Sequence, residues 1–510
     1  MSGQPPWLTL VLVLPLLGAA LIQLLPGTAH RAIQGVTVAA TLVTAVIVAG
    51  LVAHLGDGAS LGGPLSFHFE EHHDWIPAIG TSFHLGLDGL SSWLLALNAG
   101  LFLLAALAMQ ARSTRRPRFF CTLLLLTETA TAGVLLSVDL LLFYLFWEAV
   151  LIPLYLILSG YGGADRGRAT LKFVVYTVAG SLLMLLSIIY LAVQSGTGSF
   201  DLQTLLLNPS LDRRQLLLPF VAFALAFAIK VPLVPFHTWL PDLYASAPPA
   251  VLIFLAGIVS KLGAYGLIRY GLTLFPGTVH DLQWLLTGLA ILSIIYGALM
   301  ALAERDIKRI VAYASVSHLG FVCLGIFALN ANGINGAILQ MVNHGIVIAA
   351  LFLVVGVIEA HTGTRDRHEL SGLERRMPWL YALFLVVTLA ALGMPGMGTF
   401  AGEFTIMLGA FQVSWVLAAL AGAGVVLACW YMLRLHQGLM HEPPRPRTEQ
   451  VTDIHLREGL LLAPLVGLMI LLGMYPRPVG EVARDSVGQY VKLADGAPAR
   501  PPSGSLPPAP

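Results

Sequence analysis

Two lysines sit where lysine is costly. Lys230, in AFAIKVPLVPFHTWLP, and Lys261, in GIVSKLGAYG, each lie inside an apolar run, with Pro232, Pro235, Pro241, Pro248 and Pro249 breaking the backbone between them. A lysine deep in hydrocarbon costs at least about 2.5–3.5 kcal/mol, so its retention points to work for its exchangeable proton. Glu148, in FYLFWEAVLIP, is a carboxylate in mid-helix, and Glu403, in GMPGMGTFAGEF, follows a second backbone break. His318, in AYASVSHLGF, and His344, in LQMVNHG, fall between the lysine half and the Glu403 half. Lysine, glutamate and histidine load and release protons, and a series of them in an apolar chain reads as the stations of a proton relay.

Other residues could serve these stations. His237, in VPFHTWLP, either relays a proton to Lys230 or hydrogen-bonds the distorted backbone that Pro232 leaves with a free carbonyl. Ser315 lies one turn before His318, and Gln340 one turn before His344. Glu128, in LLTETATAG, is another mid-span carboxylate to which no role follows from its surroundings, and Asp139 stands where a helix N-cap is expected. Plainer roles compete: a fixed Glu148–Lys230 ion pair, a snorkelling Lys261, a Glu403 that caps a broken half-helix. Buried ion pairs stabilise poorly, and Lys261 is too central in its run to snorkel, so proton carriage is the stronger reading for both lysines and both glutamates.

The elements that hold these side chains are membrane helices. Hydrophobic residues make up 57% of the 510 and charged residues 11%, less than half the share expected of a soluble domain. A formal net charge of +1 without basic tracts argues against nucleic acid as a partner. Cys121, Cys323 and Cys429 lie in apolar runs without ligand spacing, so no metal, haem or iron–sulfur motif is expected. Met1–Pro6 lacks the basic region of a signal peptide, so the first apolar run is expected to remain as a helix.

Segments of about twenty apolar residues predict an all-α polytopic protein with about fourteen transmembrane helices. Arginine and lysine gather in alternate connections, around Arg112–Arg118, Arg166–Lys172, Arg305–Arg309, Arg365–Arg376 and Arg434–Arg457, which the positive-inside rule assigns to the cytoplasm. The opposite side has Arg213, Arg214, Arg269 and a loop, Gly56–Gly89, with acidic residues and histidines but neither lysine nor arginine. Both termini are then expected outside, in a bacterial inner membrane. The tail beyond Pro476 reads as disordered from its polar, proline-rich composition. Glu148, Lys230 and the VPLVP break find a weak echo about 170 residues later in His318, GMPGMG and Glu403, the pattern of two inverted units. The expected organisation is residues 1–118 as N-terminal helices, 119–271 and 282–440 as the two units, 441–475 as a loop and last helix, and 476–510 as tail.

Taken together, DLLLFYLFWEAVLIPLY, AFAIKVPLVPFHTWLPD, GIVSKLGAYGLIR, ERDIKRIVAYASVSHLGF, ILQMVNHGIVIAALF and GMPGMGTFAGEF resemble the antiporter-like membrane subunits of respiratory complex I, over nearly the whole chain. The resemblance implies fourteen helices with two inverted five-helix repeats and broken helices 7 and 12. It implies that Glu148 pairs with Lys230, that Lys261 is the central station, that His318 and His344 bridge the halves, and that Glu403 is the terminal station. It implies a subunit of a proton-translocating NADH:quinone oxidoreductase with no cofactor of its own, the FMN, iron–sulfur clusters and quinone belonging to other subunits. Its partners would be protons, lipid and neighbouring membrane subunits, especially the antiporter-like ones. The alternative is the homologous subunit of a multisubunit sodium/proton antiporter or a proton-pumping membrane hydrogenase. One departure is YASAPPA after WLPDL, where relatives more often show residues like AHSQAPT, which bears on local contacts of the broken helix.

Overall fold

Hydrocarbon offers the backbone no solvent partner, so an apolar chain must close its N–H and C=O groups within helices. The computed structural model describes residues 5–55, 63–109 and 114–495. The first part comprises α1 (Trp7–Leu24), α2 (His30–Ala53), a hairpin of β1 (His68–Ile76) and β2 (Thr81–Leu87), α3 (Gly89–Ala108), α4 (Pro117–Leu136), α5 (Leu140–Tyr161), α6 (Arg166–Gln194) and α7 (Leu202–Leu207). Then come α8 (Arg213–Lys230), α9 (Trp239–Ser246), α10 (Pro249–Gly257), α11 (Leu262–Gly266), α12 (Leu272–Leu274) and α13 (Pro276–Asp281). The second part holds α14 (Gln283–Ala303), α15 (Ile307–Phe327), α16 (Ala331–Thr362), α17 (Pro378–Ala391), α18 (Gly398–Val413), α19 (Trp415–Met440), α20 (Leu456–Met474) and α21 (Arg477–Ala494).

Among the described residues twelve helices are long and apolar enough to cross a bilayer, with Pro249–Leu274 taken as one. The two proline breaks divide further apolar stretches into the pairs α8/α9 and α17/α18. Only Pro249–Leu274, α15 and α16 are enclosed along their whole apolar length. They carry Lys261, His318 and His344, so the middle of the ionisable series lies on enclosed helices, while Glu148, Lys230 and Glu403 stand on α5, α8 and α18.

A matched pair of joints marks the two halves. Asp139 caps α5 and bridges to Asp201, and Asp306 caps α15 and bridges to Asp366. The Asp306 joint lies beside Gly163 and Asp165, past the far end of α5 from Asp139. The two joints therefore occupy opposite faces, here called the hairpin face (Asp139) and the arginine-rich face (Asp306). For Asp139 the plain reading holds, since its carboxylate accepts from Leu141 N and Leu142 N.

Three expectations are corrected. The Gly56–Gly89 stretch, read as a loop, contains the antiparallel hairpin, whose polar run HFEEHHDWI hides the strand. The segment after Pro476, read as disordered, is helical through Ala494 because Val479, Ala483, Val487 and Tyr490 recur at helical spacing and bury one face. Residues 496–510, with the rest of that expectation, and Arg112 of the cytoplasmic cluster lie outside the described residues. Arg269, counted among loop charges, is buried in a π-helical turn at Leu267–Gly271 and grips both oxygens of Asp88, at 2.6 and 2.9 Å. A charge neutralised in this way says little about orientation.

The hairpin is anchored by a buried acid–histidine–acid group. His84 Nδ1 lies 2.6 Å from Asp201 Oδ2, and Nε2 lies 2.8 Å from Glu70 Oε1. Burial alone would push the imidazole down, but hydrogen bonds and charge from Asp201 and Glu70 outweigh it and raise the pKa to about 9. The raised value contributes on the order of 3 kcal/mol, fully present below the unfolded value near 6.5 and lost as pH climbs through about 9. Hydrogen exchange of residues 68–87, corrected for intrinsic rate, should therefore accelerate between pH 8 and pH 10. A His84→Gln chain should lose that dependence, and unchanged protection at pH 10 would refute the anchor.

Candidate functional site

Helix α8 ends at Lys230 because Pro232 has no N–H to extend it. The groups freed at the break are met by side chains: Trp239 Nε1 donates to Ile229 O at 2.9 Å and Val234 N to Ser293 Oγ at 2.9 Å. Trp239 thus serves the broken backbone while its buried ring packs on Phe173, centroids 5.0 Å apart. The Lys230 ammonium is buried over Trp147, 5.0 Å from the ring centroid, and lies 5.8 Å from that of Phe173. The expected ion pair with Glu148 is not formed among the described residues; Glu148, next to Trp147 in sequence, is half-buried and acts on Lys230 through its charge. Aromatic faces hold the cation where the carboxylate was expected. His237 is buried against Tyr296, ring centroids 5.0 Å apart, and its Nδ1 has no partner. No described hydrogen bond joins it to Lys230.

Lys261 lies in a 3-10 turn, Val259–Lys261, followed by α11 and the π-helical turn, an irregularity that an unbroken span would not show. Its Nζ is fully buried, donates to Ala256 O at 2.5 Å and sits 3.4 Å from Ser260 Oγ. No carboxylate pairs with it among the described residues. Gly263 explains how closely the two lysine helices approach: a Cβ there would stand 2.7 Å from Phe227 O and 3.1 Å from Lys230 Cβ. Beside the Lys261 segment, where a Cβ on Gly345 would stand 2.7 Å from Gly257 O, His344 is buried with neither ring nitrogen bonded.

His318 and Glu403 form the tightest contact of the series. His318 Nδ1 lies 2.7 Å from Glu403 Oε1, and Gln340 Nε2 donates to the same oxygen at 2.9 Å. Glu403 therefore does not cap the broken half-helix, since its bonds go to side chains of α15 and α16. The ring centroids of His318 and His344 are 5.6 Å apart. Between them a cavity of about 10 Å³, about the smallest that admits a water, is also lined by Ala391, Thr399 and Met432. Ser315 is buried with an unpartnered hydroxyl, and Gln340 keeps an unpartnered oxygen. Glu128 is fully buried with both oxygens unpartnered, but it belongs to α4 and joins none of these groups.

Sequence reasoning missed Tyr431, whose hydroxyl lies 3.1 Å from His318 Nε2. An aromatic in an apolar span signals packing, so only the fold could place it. Trp147 escaped for the same reason, and Ser260 and Thr399 because a small hydroxyl in a helix does not announce its neighbours.

The family described as NADH:quinone oxidoreductase/Mrp antiporter, TM, matches residues 137–429. The chain belongs to that family. Glu148, Lys230, His237, Lys261, His318, His344 and Glu403 all fall within the matched residues, and Glu128 does not. Similarity to relatives reaches well beyond those residues, over 94% of the chain. It is 34% identical to NADH-quinone oxidoreductase subunit M of Mycobacterium tuberculosis, over 94% of this chain and 93% of that one. It is 36% identical to NADH-ubiquinone oxidoreductase chain 4 of Marchantia polymorpha, over 94% and 96%. A chain of respiratory complex I from Thermus thermophilus superposes with a TM-score of 0.86 at 33% identity, over 96% of this chain and 99% of that one. A chain of the Mrp complex from Dietzia sp., at 24% identity and a TM-score of 0.83, shares the fold.

Proposed function

We propose that this chain is the M-type, or chain 4, membrane subunit of an NADH-quinone oxidoreductase and carries protons across a bacterial inner membrane. The observation behind this reading is the row of buried ionisable groups through the bundle interior, from Lys230 through Lys261 and His344 to His318 and Glu403. An interior of this kind is costly unless the charges do work. The relatives named as subunit M and chain 4, aligned over nearly their whole length, favour complex I over the antiporter alternative.

The step follows from two arrangements of Glu148. Docked on Lys230, the carboxylate compensates the cation. Withdrawn, as here, it leaves the cation on the Trp147 face, and an uncompensated buried charge costs about 3–5 kcal/mol. That favours passing the proton towards Lys261. Carrying one charge against about 150–200 mV requires on the order of 4 kcal/mol, a matching magnitude. The driving event comes from partner subunits that hold the FMN, iron–sulfur clusters and quinone.

Membranes carrying Lys230→Ala test the reading. NADH-quinone reductase turnover and proton pumping should both fall at least about tenfold in a complex assembled to normal levels. Normal pumping would make Lys230 a structural residue and refute the proposed step.

A further inference from the structure

Outside the row from Lys230 to Glu403, a separate group of titratable side chains runs inward from the arginine-rich face of the second half. At the surface His441, just after α19, has Nδ1 2.5 Å from Glu374 Oε2, and both side chains are partly exposed. Five residues before it on α19, His436 is buried, with its ring centroid 5.6 Å from that of His441. His436 Nδ1 lies 3.2 Å from Thr388 Oγ1 on α17. Its Nε2 is buried without a partner.

Packing alone accounts poorly for this histidine. It sits among Tyr381 and Phe384, where an apolar ring would serve as well, and an unsatisfied buried nitrogen is destabilising. Its position gives it somewhere to send a proton. Thr388 is one turn before Ala391, and His436 one turn after Met432. Ala391 and Met432 line the cavity between His318 and His344. One helical turn is about 5.4 Å, which a single water spans with two hydrogen bonds.

We propose that Glu374, His441, His436 and Thr388 form a second proton entry, leading from the arginine-rich face to the His318–Glu403 pair without passing Lys230 or Lys261. A proton taken up at the Glu374–His441 surface pair passes to His436 Nε2 when the partly exposed His441 ring, its centroid 5.6 Å from that of His436 here, swings within hydrogen-bond reach. His436 gives up its Nδ1 proton to the Thr388 hydroxyl, which releases its own to water in the cavity, and that water protonates His344, neither of whose ring nitrogens is bonded, beside the His318–Glu403 pair. Each N–H or O–H bond formed is matched by one broken, and no electron moves. The ring of His436 and the hydroxyl of Thr388 then reorient. The entry rests on the proton-translocating reading of the site.

The test compares proton pumping and reductase turnover of the assembled complex in membranes carrying His436→Phe, His436→Ala, His441→Gln or Lys230→Ala. Phenylalanine suits the aromatic surroundings and carries no proton, so His436→Phe should assemble normally and pump about tenfold more slowly. His441→Gln should slow pumping several-fold. Millimolar imidazole should restore at least half of the lost pumping to His436→Ala and none to Lys230→Ala, which separates a missing proton carrier from a packing defect. Wild-type pumping in His436→Phe beside a defective Lys230→Ala would overturn this entry and leave the main reading intact. Wild-type pumping in Lys230→Ala would overturn the main reading and this inference with it. If His436→Phe fails to assemble, His441→Gln at the surface decides, and unaltered pumping there overturns the entry.

Discussion

Arg269→Ala should strip the membrane of most of the folded chain. The guanidinium is fully buried, grips both oxygens of Asp88, and donates from Nε to the Tyr265 hydroxyl at 3.0 Å and from Nη1 to the Tyr490 hydroxyl. Its plane also faces Phe67, with Cζ 4.8 Å from the ring centroid. It thereby joins the segment before the hairpin, the cap of α3, the π-helical turn and α21. Removing one partner leaves Asp88 as a buried, uncompensated carboxylate, at a cost of about 3–5 kcal/mol. Thermal unfolding of the purified complex and the amount of chain in the membrane are the measurements. Arg269→Ala combined with Asp88→Ala should recover part of the loss, because no unpaired charge remains. A single Arg269→Ala chain as stable as wild type would refute this account of the joint.

Lys261→Met should behave in the opposite way, although the two cations are equally buried. Among the described residues Lys261 has no carboxylate partner, and its ammonium meets a backbone carbonyl and a serine hydroxyl. Methionine has similar length and no charge, so the change removes a cost of at least about 2.5–3.5 kcal/mol rather than creating one. The chain should assemble at wild-type levels or better while coupled proton transfer falls about a hundredfold. The pair of variants separates two uses of a buried cation. Arg269 is paired and holds elements together; Lys261 is unpaired and destabilising, as a proton carrier is expected to be.

How much of this was readable in advance depended on how local each signal was. Spans of about twenty apolar residues and the two proline breaks announce themselves, so the helical architecture and the α8/α9 and α17/α18 pairs were legible. Strand β1 was not, because its residues look like a polar loop and its partner is set by tertiary register. Helix α21 could have been read from Val479, Ala483, Val487 and Tyr490, but the proline-rich composition that follows masked that spacing. In the site, every ionisable side chain stood out because a charge in an apolar run is costly. Their partners did not: Trp147 under Lys230, Tyr431 on His318 and Ala256 O beside Lys261 are ordinary residues made special only by packing. Whether Trp147 or its neighbour Glu148 meets Lys230 depends on how α5 is turned against α8, which spacing cannot supply.

The central claim is that the buried ionisable row carries protons, and the most direct measurement is the number of protons moved per NADH oxidised by purified complex in sealed proteoliposomes. It should be made on wild type and on Lys261→Met of equal thermal stability. The account predicts that the variant, intact and correctly assembled, loses coupled turnover and proton movement together. A Lys261→Met complex that moved protons at the wild-type ratio and rate would contradict it, because a row without its central member could not conduct.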